Sequence, residues 1–289
     1  MFQTVGLVCK ALDDRVQSTV SALVTLLHAH GVSAYIDEES AQSCASVSLQ
    51  PLARSELGAR CDLIIVVGGD GTFLSVARTL DTASARVLGI NLGRLGFLAD
   101  ILPADMETLV GPILAGEFDE DLRFLLDTRV RSNGQESASM RALNEIVVHK
   151  RNVARLIEFE TYIDGRLLNS QRSDGLIVAT PTGSTAYALS GGGPILHPNL
   201  DAVVLVPICP HTLSSRPIVV DSDARIEIVI RDSQHNGAQL TGDGQGPVSL
   251  GDGDRIVIRR RPEPLHLVHP KGHDHFAVLR AKLHWARGL

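Results

Sequence analysis

Five apolar residues, Leu63 to Val67, run straight into Gly68-Gly69-Asp70-Gly71-Thr72, and a helical pattern from Phe73 to Leu80 follows at once. Short, uninterrupted apolar strands separated by helices are the mark of a parallel sheet covered on both faces. The rest of the first third has the same texture. Thr4 to Cys9 reads as a strand, and Val16, Val20, Leu23, Val24 and Leu27 then fall on one helical face. Gly31 marks the end of that helix. Ser33 to Ile36 and Arg86 to Ile90 are further short strands, and a last helical segment lies near Asp105 to Ala115.

Beyond this point strand follows strand. Ile157, Phe159 and Ile163 alternate largely with polar neighbours and lead into Asp164-Gly165, a hairpin signal. Ile226, Ile228 and Ile230 alternate with Glu227, Val229 and Arg231, and Ile256 and Ile258 with Arg255 and Arg259, as half-buried antiparallel strands do. The pattern therefore predicts an α/β domain with a Rossmann-like parallel sheet over 1–120 and a β-rich sandwich domain over 121–270. Asp274 to Trp285 is helical again, and the segment 271–289 is expected to return to the first domain.

With 289 residues, 44% hydrophobic and 21% charged, the composition is that of a folded globular enzyme. Lys and Arg number 27 against 33 Asp and Glu, a net charge of -6, so no broad attraction to nucleic acid or to an anionic membrane is expected. An anionic ligand then needs a local donor site. Cys9, Cys44, Cys61 and Cys209 form no C-x-x-C pair, which argues against a zinc site or a disulfide framework and for free buried thiols in a reducing compartment. No run of about 18 apolar residues and no signal-peptide pattern occurs, so a cytoplasmic protein is expected.

The glycine turn places one carboxylate, Asp70, at the carboxyl end of a parallel strand, where open α/β sheets bind ligands. Glycines allow close backbone approach to phosphate oxygens, and a following helix N-terminus adds N–H donors. The bland alternative is an ordinary strand-to-helix turn with Asp70 as N-cap. The chain has no G-x-x-x-x-G-K-[ST], and Asn91-Leu-Gly93-Arg-Leu-Gly96 lacks the first glycine of G-x-G-x-x-G. A second glycine-rich element, Thr180 to Pro194, follows the strand Leu176 to Ala179. It offers hydroxyls at Thr182, Ser184, Thr185 and Ser190, the Tyr187 ring, and Gly191 to Gly193. Asn144-Glu145, within the apolar run Leu143 to Val148, and Arg172 with Asp174 are polar groups that either meet solvent or point into a site. His269, His273 and His275, beside Pro270 and Gly272, fit a polar turn, so no metal ligand is assigned.

Taken in order, Gly68 to Thr72 (GGDGT), Asn91 to Asp100 (NLGRLGFLAD), Asn144-Glu145, Ser173 to Tyr187 (SDGLIVATPTGSTAY), Gly191 to Pro194 and Pro207 to Pro217 (PICPHTLSSRP) make the chain resemble the bacterial NAD kinase family. GGDGT alone is shared with diacylglycerol and sphingosine kinases; the long SDG to GGP block narrows the family. The resemblance implies an NAD site between two domains and a homodimer or homotetramer. The reaction it implies is transfer of the γ-phosphoryl of ATP to the 2′-hydroxyl of the adenosine ribose of NAD, giving NADP, with Mg²⁺ as the expected divalent metal. On the same warrant Asp70 would contact that hydroxyl and accept its proton, with Gly71 beside it. Asn144, Glu145, Arg172, Asp174, Thr185, Ala186, Tyr187, Ala188, Leu189 and Ser190 would bind the dinucleotide, as would Arg155 and Gln245, whose surrounding sequence is less distinctive. The rivals are a lipid kinase, disfavoured by the acidic balance and the lack of a basic amphipathic helix, and an NAD(P)-binding sensor that performs no phosphoryl transfer.

Overall fold

The computed structural model describes residues 1–10, 14–44, 47–80, 85–93, 96–151, 155–231 and 237–285. The chain divides into two compact units, Met1–Leu122 with Leu265–Leu289, and Arg123–Pro264. Along the chain the first unit contains β1 (Thr4–Cys9), α1 (Asp14–Ala29), β2 (Ser33–Asp37), α2 (Glu38–Ser43), β3 (Gln50–Leu52), α3 (Arg54–Arg60), β4 (Leu63–Gly68), α4 (Asp70–Thr79), β5 (Arg86–Asn91), α5 (Met106–Ala115) and β6 (Phe118–Arg123). The second holds β7 (Leu126–Ser132), β8 (Gln135–Ala142), β9 (Glu145–Lys150), β10 (Ile157–Ile163), β11 (Arg166–Ser173) and β12 (Gly175–Ala179). It continues with α6 (Tyr187–Ser190), β13 (Ala202–Ile208), β14 (Ile218–Asp221), β15 (Ile226–Ile230), β16 (Ala238–Gly242), β17 (Gln245–Leu250) and β18 (Arg255–Arg260). The first unit then regains the chain at β19 (Leu265–Pro270) and α7 (His275–Leu283).

The first unit is a seven-stranded sheet in the order β3-β2-β1-β4-β5-β19-β6. Neighbours from β3 through β19 are parallel. The central strand β4 is buried along its whole length, which is why its sequence carries no alternation. Val16, Val20, Leu23, Val24 and Leu27 of α1 are all buried and join Leu7, Leu63, Ile65 and Val67 in one core. Gly31 closes α1 with a φ of 71°, a conformation in which a side chain would be strained. One expectation is corrected. The bounds 121–270 put Leu265 to Pro270 in the β-rich domain, but β19 pairs parallel with β5 and belongs to the first unit. A strand's period shows which faces are buried, not which sheet it joins.

The second unit is an antiparallel sandwich of two six-stranded sheets, β11-β10-β15-β18-β7-β8 and β14-β13-β12-β9-β16-β17. Both contribute to one core, with Phe159, Ile228 and Ile256 from the first and Ile146, Val178 and Leu205 from the second. Asp164-Gly165 forms the expected hairpin between β10 and β11, with φ of 50° and 77°. β15 departs from the half-buried reading, since all five of its residues are buried. Glu227 tolerates this because Arg225 and Arg255 both pair with its carboxylate. The thiol expectation also needs correction: Cys9, Cys44 and Cys61 are buried, but Cys209 is exposed. Among the described residues no helix is long and apolar enough to cross a membrane.

Candidate functional site

In the first unit, β4 ends at Gly68 and α4 begins at Asp70, with Gly69 as N-cap and no side-chain cap bond. Asp70 is therefore not the N-cap. Its Oδ2 accepts the Phe97 backbone N–H at 3.0 Å and its Oδ1 that of Leu98 at 3.1 Å. The 91–100 segment thus orients the carboxylate from a loop 27 and 28 residues away in sequence.

The glycines differ in what they allow. A Cβ on Gly68 would lie 2.5 Å from Thr72 Oγ1, and one on Gly96 2.3 Å from Asp70 Oδ1, so these two are small to let other groups close in. Gly69 and Gly71 have nothing within 4 Å of a Cβ, leaving open space on either side of Asp70. Arg94 and Leu95 of the NLGRLGFLAD motif lie outside the described residues.

In the second unit Asn144 occupies the bend before β9, and Glu145 is that strand's first residue. The bend is held by Asp243, whose carboxylate accepts the backbone N–H groups of Leu143, Asn144 and Glu145 at 3.0, 2.8 and 3.2 Å. Asp243 and Gly244 have positive φ, 49° and 71°, in the turn joining β16 to β17. From the other side Thr180 donates its N–H to Asn144 O and its hydroxyl to Leu143 O. Gly183 packs so closely that a Cβ there would sit 2.1 Å from the Asn144 carbonyl oxygen.

Glu145 is only 7% exposed, and its Oε2 is buried without a hydrogen-bond partner. Burial, and secondly the nearby Asp243 carboxylate, push its pKa from an ordinary 4.5 up to about 7, against the opposing effect of the Tyr187 backbone N–H that donates to it. A perturbed, under-satisfied carboxyl of this kind is a functional-site signature.

The second glycine-rich element is fixed by its apolar side. Along β12, Leu176 and Val178 enter the sandwich core, whereas Ile177 and Ala179 face a second cluster with Val147, Val204, Val206 and Ala188 of α6. Ala188 anchors the short helix on the sheet, while Tyr187 (46% exposed) and Ser190 remain accessible and Leu189 is half-buried. The hydroxyls differ in use. Ser184 is buried and committed to Pro181 O and Leu196 N, and Thr182 is buried beside Arg123. Thr185, half-buried, donates to Thr182 O, and Ala186 follows it at the start of α6.

The structure brings Asn144, Glu145 and Tyr187 together. It places the other candidates less closely. Arg172 is exposed on β11 and pairs with Glu158 at 3.8 Å, Asp174 pairs with Lys150, and Arg155 and Gln245 are exposed. An open cleft lined by Asp164, Gly165, Asp223, Arg225, Arg259 and Arg260 includes none of the candidate residues. Sequence reading missed Asp243; its signal is the Asp243-Gly244 hairpin dipeptide. It also treated His269 and His273 as a polar turn, whereas both ring Nδ1 atoms meet the Asp100 carboxylate, at 2.8 and 3.0 Å.

Comparison with known proteins places these features. Residues 5–118 match the ATP-NAD kinase N-terminal domain and residues 143–270 the ATP-NAD kinase C-terminal domain. A NAD kinase of Nitrosococcus oceani is 52% identical over 100% of this chain and 98% of its own length. A NAD kinase of Chromohalobacter salexigens is 47% identical over the same shares. Among solved structures, yeast NADH kinase complexed with NADH superposes with a TM-score of 0.91 at 26% identity, covering 99% of this chain and 89% of that one. A NAD kinase from Archaeoglobus fulgidus in complex with ATP gives 0.74 at 29% identity, covering 96% and 99%. Matched in both domains and along its whole length by these relatives, the chain belongs to the NAD kinase family.

Proposed function

We propose that the chain performs its family's reaction, the ATP-dependent phosphorylation of NAD to NADP, with Asp70 as the group that orients the ribose 2′-hydroxyl and accepts its proton. The observation that carries this reading is the Asp70 carboxylate itself. It is released from capping its own helix, fixed by the Phe97 and Leu98 N–H groups, and flanked by open space at Gly69 and Gly71. Phosphoryl transfer passes through a loose transition state, so catalysis depends on alignment and charge neutralisation more than on strong proton abstraction. An aspartate suits that task. As the bond from the 2′-oxygen to the γ-phosphorus forms and the bond to the leaving diphosphate breaks, the hydroxyl proton passes late to Asp70.

The glycine turn receives phosphate oxygens on backbone N–H groups, which accounts for the lack of a Walker lysine. The turn also fits a magnesium ion that arrives with the ATP phosphates. Such an ion needs only one or two protein carboxylates beside phosphate and water, and Asp70 is the carboxylate on this turn. Magnesium would neutralise charge on the phosphoryl oxygens.

For the dinucleotide, Glu145 and Asn144 supply acceptors and donors held by Asp243, and Tyr187 supplies an exposed ring at the mouth of α6. Arg155, Arg172, Asp174, Thr185, Ala186, Ala188, Leu189, Ser190 and Gln245 complete the set that the family motifs assign. The neighbours solved with NADH and with ATP support both substrate classes. Three buried free thiols suit a cytoplasmic setting, and the assembly this reading carries is a homodimer or homotetramer.

The test is NADP formation from NAD, ATP and Mg²⁺, coupled to an NADP-specific dehydrogenase, with ATP-free and metal-free controls. Asp70→Asn is expected to lower kcat by roughly 10²–10⁴-fold, the range of general acid–base contributions, while leaving NAD affinity nearly unchanged. Near wild-type turnover in that variant would sink the role given to Asp70. NAD binding by the wild type with no ATP-dependent product would favour a dinucleotide sensor.

A further inference from the structure

The reaction leaves one cluster of the first unit unused. His269, near the end of β19, is 1% exposed, and His273 follows four residues later in the turn before α7. Their rings stack with centroids 3.7 Å apart and 17° between planes. Both Nδ1 atoms converge on one atom, Asp100 Oδ2, at 2.8 and 3.0 Å. The turn is held in place by Asp119, whose carboxylate accepts from Lys271 Nζ and from the backbone N–H groups of Gly272 and His273.

Two further observations do not fit a plain hydrogen-bonded turn. Asp100 Oδ1 is buried with no partner, although a buried, unsatisfied acceptor costs about 1–3 kcal/mol. On the far side of the His269 ring, Nε2 is also buried and makes no hydrogen bond, its ion-pair partner Asp121 Oδ2 standing 3.6 Å away, beyond hydrogen-bond length. A ring with one nitrogen on a shared centre and the other turned toward a carboxylate is the arrangement of metal-bound histidines.

We propose that Asp100, His269 and His273 bind one divalent transition-metal ion of the zinc type, with Asp121 behind His269 as its outer partner. The ligand atoms of the three lie within 4.8 Å of one another. Ligands about 2.1 Å from a tetrahedral ion stand roughly 3.4 Å apart. The separations from Asp100 Oδ2, 2.8 and 3.0 Å, need to open by about half an ångström, and the two rings, stacked with centroids 3.7 Å apart, must swing out of the stack to aim both Nδ1 lone pairs at one ion. Two imidazoles and one carboxylate suit zinc, cobalt or nickel, whereas magnesium prefers oxygen ligands throughout. The ion takes the place of the two Nδ1 protons, and the Asp100 carboxylate, binding it through both oxygens, gives Oδ1 a partner as well. Asp100 also ends the loop whose Phe97 and Leu98 N–H groups hold Asp70. Metal binding would therefore fasten that loop to the turn after β19.

The test uses the metal-stripped full chain without nucleotide, titrated with Zn²⁺ against a chromophoric chelator and separately with Co²⁺. One equivalent should bind per chain and raise Tm by mass action. Cobalt should give visible ligand-field bands without thiolate charge transfer, which sets the site apart from Cys9 and Cys44, whose sulfurs are 3.3 Å apart. His273→Ala should weaken Zn²⁺ binding by at least the roughly 10–100-fold that loss of an outer partner costs, and His275→Ala should not. If the wild type binds no stoichiometric Zn²⁺, or if the cobalt spectrum shows thiolate ligands, the cluster is only a hydrogen-bonded His–Asp–His turn. These two readouts need no variant to fold. Tight binding that survives in a folded His273→Ala protein overturns the assignment equally.

Discussion

Replacing Glu145 by Gln tests the Asn144-Glu145 bend directly. The native carboxyl holds its proton up to about pH 7, whereas the unfolded chain releases it near 4.5. Between those values the folded protein binds the extra proton, so this residue's contribution falls as pH rises through the window and levels off above about 7. At about 1.4 kcal/mol per tenfold change in proton affinity, keeping the buried carboxylate ionised costs the fold about 3 kcal/mol at pH 8. Glutamine has nearly the same shape and carries no charge, and its amide can donate toward Asp243. The variant should therefore unfold several degrees above the wild type at pH 8, with the gap closing as pH approaches 4.5. Calorimetric melts of the two proteins across that range cancel every group they share. A gap that does not change with pH, or a less stable variant at pH 8, would refute the account of Glu145 as a buried, uncompensated carboxylate. Because that carboxyl is assigned to the dinucleotide, the stabilised variant should also show a raised KM for NAD.

Two glycines give sharper steric tests. Gly96→Ala would bring a methyl group to 2.3 Å from Asp70 Oδ1 and 2.9 Å from Ala99 O. It is expected to cost about 1–3 kcal/mol of stability and, by moving the carboxylate on the order of 1 Å, about 10² in kcat, with the KM for NAD little changed; unchanged steady-state kinetics would show that the 91–100 loop does not set the position of Asp70. Gly183→Ala would meet the Asn144 backbone, oxygen and carbon, at 2.1 and 2.4 Å. The expected result is a loss of about 1–3 kcal/mol and weaker NAD binding by calorimetric titration, with both intact if the segment can shift.

The local layout was readable because it follows from backbone periodicity and turn chemistry. Leu63 to Val67 lack alternation because β4 is covered on both faces, and Asp164-Gly165 turns because both residues adopt positive φ. The family motifs likewise lie in continuous segments, from GGDGT to the SDG block. What the sequence left open are choices made between distant residues. Ile226, Ile228 and Ile230 showed which face of β15 enters the core, but Glu227 is buried too, through arginines on either side that no period reveals. Leu265 to Pro270 follow the sandwich strands directly in sequence, yet β19 sits in the parallel sheet. Asp243 holds Leu143 from 100 residues away, and Asp100 meets His269 from 169. A chain alone determines its elements and its turns, since those depend on steric and hydrogen-bonding preferences a few residues long. Which carboxylate faces a free N–H, and which stays buried without a partner, was decided only by the tertiary structure, because packing brings those groups together at the same moment that it excludes the water each had before.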